Sequence, residues 1–162
     1  MGNSEIKVKE LRAKLDLRGA HLTRQRAAVF DYLGQVDHHP TAEQVFLAVK
    51  HEIPRISLAT VYKNLEALVD CRAATKLTFG DAAARYDIRT DHHHHTRCLS
   101  CGLISDLEPA HDPQLDRVIA APQGFEVKDY RIELTGYCSA CQHDPQGRRE
   151  SGIDKSENIY KE

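Results

Sequence analysis

The first seventy residues alternate between apolar stripes at helical spacing and short polar breaks. Val8, Leu11 and Leu15 share one face of a helix predicted over residues 5–17, and Gly19 closes it. Thr23 opens a second helix over 24–35, with Ala27, Val29, Phe30 and Leu33 as its apolar stripe. Thr41 is the N-cap of a third, and Gln44 three residues on completes a capping box. Val45, Phe46 and Val49 point inward from it, and Pro54 stops its continuation. Ser57 caps a fourth helix, carried by Val61, Leu65 and Leu68.

The period then changes. Thr75, Leu77 and Phe79 alternate against Lys76 and Thr78, Gly80-Asp81 supplies a turn, and 84–88 reads as the returning strand. Helices at short spacing followed by a hairpin match a winged helix-turn-helix domain. A small helical domain with a hairpin and no nucleic-acid role has the same pattern. Beyond residue 91, short strands are expected at 96–99, 103–107 and 130–134, with Phe125 and Val127 beginning the return and a helix at 115–120. The fold class expected is α+β: a winged-helix domain with its connection over 1–88, a small α/β domain over 89–142 and a polar tail over 143–162.

Charge adds an asymmetry. The chain of 162 residues has a net charge of −2, but residues 1–90 carry +3 and residues 91–162 carry −5. A polyanionic partner therefore suits the first half only. No apolar run approaches the roughly 18 residues of a membrane span. The N-terminus shows no basic segment leading into an apolar core. A cytoplasmic protein with no membrane partner is the expectation.

Chemistry is concentrated in ten His and five Cys. Cys98-Leu99-Ser100-Cys101 and Cys138-Ser139-Ala140-Cys141 each offer two thiolates from one tight turn, and Gly102 eases the first. Four thiolates suit a closed, structural Zn²⁺. Such a staple has a purpose in a domain too small to hold itself by burial alone. Redox-active pairs, buried thiols or an iron–sulfur cluster are the other uses of the spacing. Cys71 stands alone.

His92-His93-His94-His95 immediately precedes Cys98. On a strand, His93 and His95 share one face, and two imidazoles so spaced chelate well. Asp87 lies shortly upstream, Asp106 lies on the strand after the first CxxC turn, and His39, which nothing local singles out as a ligand, precedes the third helix. Three imidazoles and two carboxylates would suit Fe²⁺ or Mn²⁺. A solvated histidine run is the plainer reading.

Over residues 10–142 the chain resembles the ferric uptake regulator (Fur) family. The resemblance rests on Leu22-Thr23-Arg24-Gln25-Arg26, His39-Pro40-Thr41-Ala42, Ala59-Thr60-Val61-Tyr62-Lys63-Asn64-Leu65, the stretch from His92 to Cys101, and the Cys138/Cys141 pair. It implies a homodimeric repressor, not an enzyme, that binds double-stranded operator DNA and has a C-terminal α/β dimerisation domain. It also implies structural zinc on Cys98, Cys101, Cys138 and Cys141. A regulatory Fe²⁺ or Mn²⁺ is implied on His39, Asp87, His93, His95 and Asp106. Asp at 87 and 106 resembles the peroxide-sensing members, where iron-uptake members carry Glu. In the peroxide sensors a ligand histidine, here His39 or His93, is converted to 2-oxo-histidine. An iron-responsive repressor is the alternative within the family, and a metalloenzyme such as a peroxidase is the alternative outside it. Arg24, Ser57, Thr60, Tyr62 and Lys63 are the expected DNA contacts, with Tyr62 reading bases and Lys63 and Arg24 meeting phosphates. The sequence departs from the family at two places. Tyr130 replaces a histidine that would complete a third metal site with His92 and His94, where Asp112 or Asp129 could substitute. Arg72 replaces a glycine after the recognition helix.

Overall fold

The computed structural model describes residues 2–79, 82–108, 125–128 and 130–143. The chain divides into two compact units, Met1–Asp91 and His92–Glu162.

The first unit holds α1 (Gly2–Asp16), α2 (Arg24–Leu33), α3 (Ala42–Glu52) and α4 (Leu58–Asp70), then β1 (Thr75–Leu77) and β2 (Arg85–Asp87). The caps act as the sequence predicts. Thr23 Oγ1 accepts from the Arg26 amide at 3.2 Å. Gln44 N donates to Thr41 Oγ1 while Thr41 N donates to Gln44 Oε1, which closes the capping box. Ser57 Oγ accepts from the Thr60 amide at 3.1 Å. Leu11, Leu15, Val29, Leu33, Val45, Val49, Val61, Leu65 and Leu68 meet in one core, with Phe30 and Phe46 packed against its margin. Burying such side chains stabilises by roughly 1.5–3 kcal/mol each.

The buried face of α2 differs from the predicted stripe. Arg26 and Ala28 are buried with Val29 and Leu33, and Ala27 is only half-buried. Arg26 escapes the simple pattern because its guanidinium donates to the His21 carbonyl, so its stem can enter the core.

β1 and β2 pair antiparallel with Thr75 opposite Asp87 and Leu77 opposite Arg85. Residues Gly80 and Asp81, the predicted turn, lie outside the described residues. An isolated bridge pairs Thr41 with Arg85, and Tyr86 N donates to Pro40 O at 3.0 Å. The hairpin is thereby fastened to the entry of α3.

In the second unit β3 (His94–Cys98) lies between β4 (Ile104–Leu107) and β5 (Glu133–Gly136). It pairs antiparallel with β4 and parallel with β5. Two predicted strands are displaced. β3 begins at His94 rather than at 96, because a run of four histidines carries no apolar alternation to mark it. The return strand is Glu133–Gly136 rather than 130–134, and Phe125 and Val127 lie outside any strand. Its register is set by pairing Cys98 with Gly136, which brings the chain to Cys138 at the right end of β3. The helix expected at 115–120, Asp112, Asp129 and residues 144–162 lie outside the described residues.

Helix α4 closes on an unusual residue. Arg72 N donates to Val69 O and Ala73 N to Leu68 O, the paired bonds of a Schellman ending. The residue between them must be left-handed, and Arg72 has φ 55°. After α1 the same place is taken by Gly19, at φ 66°. A side chain in this conformation costs about 1–2 kcal/mol, partly offset by the greater freedom a glycine loses on folding. Arg72→Gly should therefore stabilise the first unit by about 0.5–1 kcal/mol. Denaturant unfolding followed by helical circular dichroism checks this as a higher midpoint.

Candidate metal centres

The four sulfurs of Cys98, Cys101, Cys138 and Cys141 lie within 4.8 Å of one another. Strand β3 ends on Cys98, and the chain then folds into a knuckle: Gly102 N donates to Cys98 O at 3.0 Å and Cys98 N to Leu103 O at 2.8 Å. Gly102 takes φ 71°, as its place after the first pair predicts. The second pair forms its own turn, with Cys141 N donating to Cys138 O at 2.9 Å. The Cys138 amide donates across to Cys98 Sγ at 3.4 Å, and Leu99 N to Gly136 O at 2.7 Å.

Cys101 Sγ and Cys138 Sγ are 3.8 Å apart. That is far beyond a disulfide bond of about 2.05 Å. It equals the edge of about 3.8 Å of a sulfur tetrahedron built on zinc–sulfur bonds of about 2.3 Å. The donor set therefore fits Zn²⁺, and four thiolates leave no open position for substrate. The thiols are already prepared unequally. Burial pushes the Cys98 thiol up, but the amides of Cys101, Cys138 and Ser100 outweigh it and bring Cys98 down to about 6. The Ser100 hydroxyl pulls Cys141 down, yet the crowding sulfurs of Cys138 and Cys101 push it up to about 12. Cys71 is elsewhere: it is buried in the first unit, its thiol donating to Leu68 O at 3.4 Å.

The same strand carries a second set of donors. His95 stands opposite Asp106 in the β3–β4 register. His93 and His95 present their Nε2 atoms 3.1 Å apart, and Asp106 Oδ1 lies 3.7 Å from His93 Nε2 and 3.8 Å from His95 Nε2. Both imidazoles are buried, while Asp106 is at the surface. Donors bound to one divalent ion at about 2.1 Å sit roughly 3.0–3.5 Å apart, so these three approach a chelating arrangement.

In the first unit, His39 and Asp87 are brought together by the backbone. The Thr41–Arg85 bridge, continued two residues, sets His39 opposite Asp87. Arg85 Nη1 donates to His39 O at 2.8 Å and locks this segment. His39 Nε2 lies 3.7 Å from Asp87 Oδ2, and both residues are buried. The Arg89 amide donates to Asp87 Oδ1 at 2.8 Å, which orients the carboxylate. Three donors in one unit and two in the other are each an incomplete set for a transition metal.

His92 and His94 belong to no cluster of three or more metal-donor groups among the described residues. They pack instead on Tyr130. Ring centroids are 5.0 Å apart between His92 and His94, 4.8 Å between His92 and Tyr130, and 5.5 Å between His94 and Tyr130. Burial, followed by the nearby His92, holds the His94 imidazole below the ordinary histidine value.

The expected DNA contacts lie on exposed faces of the helical unit. Arg24 begins α2, and Tyr62 and Lys63 project from α4 opposite buried Val61 and Leu65. Ser57 and Thr60 bond to each other at 2.8 Å, which leaves one hydroxyl hydrogen of the pair available to a phosphate. Glu43 is a residue that sequence reasoning missed. Its carboxylate accepts from the Tyr62 hydroxyl at 2.7 Å across a separation of 19 residues, and no local pattern announces that contact.

Cys98→Ser should lower bound zinc from about one per chain to near none, because one lost thiolate opens the closed set. Metal analysis after gel filtration measures it. Retention of one tightly held zinc would show that the four sulfurs are not its site.

Comparison with known proteins agrees with this geometry. A family profile described as "Ferric uptake regulator family" matches residues 17–135. The peroxide-responsive repressor PerR of Staphylococcus aureus is 35% identical over 138 residues, covering 85% of this chain and 93% of that protein. Among solved structures, the ferric uptake regulator Fur of Helicobacter pylori superposes with a TM-score of 0.75 at 21% identity, covering 90% of this chain and 97% of that one. The Vibrio cholerae Fur gives 0.65 at 27% identity over 76% and 96%, and the Campylobacter jejuni peroxide stress regulator 0.59 at 27% over 87% and 100%. No helix among the described residues is long and apolar enough to cross a membrane. With a profile that spans most of its length and a relative at 35% identity, the chain belongs to the ferric uptake regulator family, whose members are metal-dependent transcription regulators and not enzymes.

Proposed function

We propose that the chain is a homodimeric repressor that binds double-stranded operator DNA when metal-loaded and releases it when hydrogen peroxide oxidises a ligand histidine. The observation that carries this reading is the donor chemistry: buried imidazoles beside the short carboxylates Asp87 and Asp106. The likeness to a peroxide-responsive repressor at 35% identity supports it.

His39 and Asp87 from the first unit, with His93, His95 and Asp106 from the second, would together hold one Fe²⁺ or Mn²⁺. Two carboxylates neutralise a divalent charge, and imidazole nitrogen favours a transition metal over magnesium or calcium. Because the five donors come from both units, occupancy selects one relative placement of the DNA-binding and dimerisation domains. In a homodimer this sets the separation of the two α4 helices, which must meet successive major grooves about 34–36 Å apart, or a multiple of that spacing. Without metal, DNA binding must bear the ordering cost itself.

Fe²⁺, when bound, would pass an electron to hydrogen peroxide and recover one from the attacked ring, so that one peroxide oxygen ends on the imidazole and the other leaves as water. His39 and His93 are the rings that would gain the oxygen atom. An oxidised ring is a poor ligand, so the donor set loses a member and the closed placement is no longer favoured. The reaction occurs once per chain and needs no turnover. On the DNA, Tyr62 would read bases from α4, its ring against a thymine methyl. Lys63, Arg24 and the Ser57–Thr60 hydroxyls would hold phosphates.

Zinc-loaded protein, charged anaerobically with Fe²⁺ or Mn²⁺, should bind operator DNA in both forms. Near-stoichiometric peroxide should release only the Fe²⁺ form and add one oxygen to a peptide carrying His39 or His93, read by mass spectrometry. Asp87→Glu should keep metal-dependent binding and lose much of the peroxide response, because the added methylene moves the carboxylate relative to His39. An Fe²⁺ form that stays on DNA with both histidines unmodified makes the protein an iron-responsive repressor instead. Oxidation that strikes the zinc thiolates first makes sensing thiol-based.

Tyr62→Ala should leave zinc and regulatory metal in place and weaken operator binding more than binding to random DNA, by about 1–3 kcal/mol of discrimination. Titrations of both duplexes at one salt concentration measure it. Equal losses on the two duplexes would mean that Tyr62 does not read sequence.

A further inference from the structure

Tyr62 is 40% exposed on α4, a large ring at the surface. Among the described residues its hydrogen-bond partner is Glu43. The hydroxyl donates to Glu43 Oε1 at 2.7 Å, a short bond to a charged acceptor. The Tyr62 hydroxyl is the main cause that holds the Glu43 carboxyl below its ordinary value, with the Glu43 amide and the Thr41 hydroxyl adding to it. Thr41 is the N-cap of α3 and is bridged to Arg85 of β2. The two partners respond reciprocally. Tyr62 draws the Glu43 carboxyl below its ordinary value, and Glu43 pushes the Tyr62 phenol above its own.

Two physical consequences follow. An exposed aromatic side chain otherwise samples several rotamers, and ordering it on DNA would cost about 0.5–1.5 kcal/mol. A ring already fixed avoids that cost wherever its fixed position suits the bases. The second consequence runs the other way. A carboxylate on a surface that meets a polyanion weakens every DNA complex, whatever its sequence, through phosphate repulsion. It is useful there only if it gains more on the right sequence than it loses on all of them.

We propose that Glu43 is a specificity-determining residue of the DNA-reading surface, positioning the Tyr62 ring before DNA arrives and penalising DNA that offers phosphates alone. The proposal rests on the DNA-reading function assigned to α4 above. Glu43 acts through Tyr62 and through its charge, and it needs no base contact of its own.

The test uses full-length protein loaded with zinc and Mn²⁺. One probe is a duplex that the wild type enriches from a randomised pool; the other is a random duplex of equal length, both at one salt concentration. Glu43→Ala should weaken binding to the enriched duplex roughly five- to tenfold and leave the random duplex unchanged or tighter. Glu43→Gln keeps an acceptor oxygen without the charge. It should recover most of the affinity for the enriched duplex while binding random DNA more tightly than the wild type. In a Tyr62→Phe background, which lacks the hydroxyl, Glu43→Ala should bring no further loss on the enriched duplex. In the free protein, the ring signals of Tyr62 in a tyrosine-labelled NMR spectrum should show rotamer averaging in Glu43→Ala alone. An unchanged ratio between the two duplexes in Glu43→Ala, or a loss that persists undiminished in Tyr62→Phe, overturns the proposal. Failure of the wild type to enrich any duplex overturns the DNA-reading function itself, a different result from either.

Discussion

Four sulfurs confined within 4.8 Å of one another are the constraint on which the second unit depends. Among the described residues its sheet has three short strands of four or five residues, and Leu103 and Leu134 are substantially exposed. In these residues burial supplies little cohesion. A zinc ion held by the cysteines would add cohesion through ligand bonds. Cys98 closes β3, and Cys138 lies two residues beyond the strand paired with it. Clamping these ends would fix the register of β5 on β3. The same β3 carries His95 and lies just after His93, so a structural zinc would also set the geometry of the imidazoles. One strand thus joins the four-cysteine cluster to the His93–His95–Asp106 donors.

The first unit solves a related problem without metal. Its helices have an ordinary apolar core, but His39 sits on a connection and Asp87 at a strand end. Loops rarely hold side chains to within a fraction of an ångström. Here two main-chain pairings and one side chain do so: the Thr41–Arg85 bridge, the Tyr86 amide on Pro40 O, and the Arg85 guanidinium on His39 O. The two donors are therefore ordered by the fold of their own unit. Thr41 serves twice, capping α3 and pairing with Arg85 in the bridge. The start of α3 is accordingly where the proposed metal donors and the proposed DNA-reading residue Tyr62, through Glu43, lie close in sequence.

Much of this was legible in the sequence because it was local. Thr23, Thr41 and Ser57 mark helix starts through hydrogen bonds that span three residues. Gly102 marks a turn that only a left-handed residue can make, and the two CxxC pairs mark a metal centre by spacing alone. Other features were legible only through a family resemblance. His39 carries no local sign of ligation, since its partner Asp87 is 48 positions away. What stayed illegible depended on tertiary pairing. The start of β3 was hidden by four histidines, the register of β5 was set by a distant cysteine, and buried Arg26 was hidden by its bond to a backbone carbonyl. Glu43 carries no mark in the sequence beyond its place in the first turn of α3, and its contact with Tyr62 emerges only from the packing of α3 with α4.

A regulatory ion shared by both units is the central claim, and metal stoichiometry tests it most directly. Zinc-loaded protein titrated with Mn²⁺, with free ion followed by electron paramagnetic resonance, should take up about one tightly held Mn²⁺ per chain. His39→Ala from the first unit and His93→Ala from the second should each abolish that same uptake. Two independent weak sites, or a tight site that survives His39→Ala, would contradict a shared ion and leave the two units without the link proposed between metal and DNA.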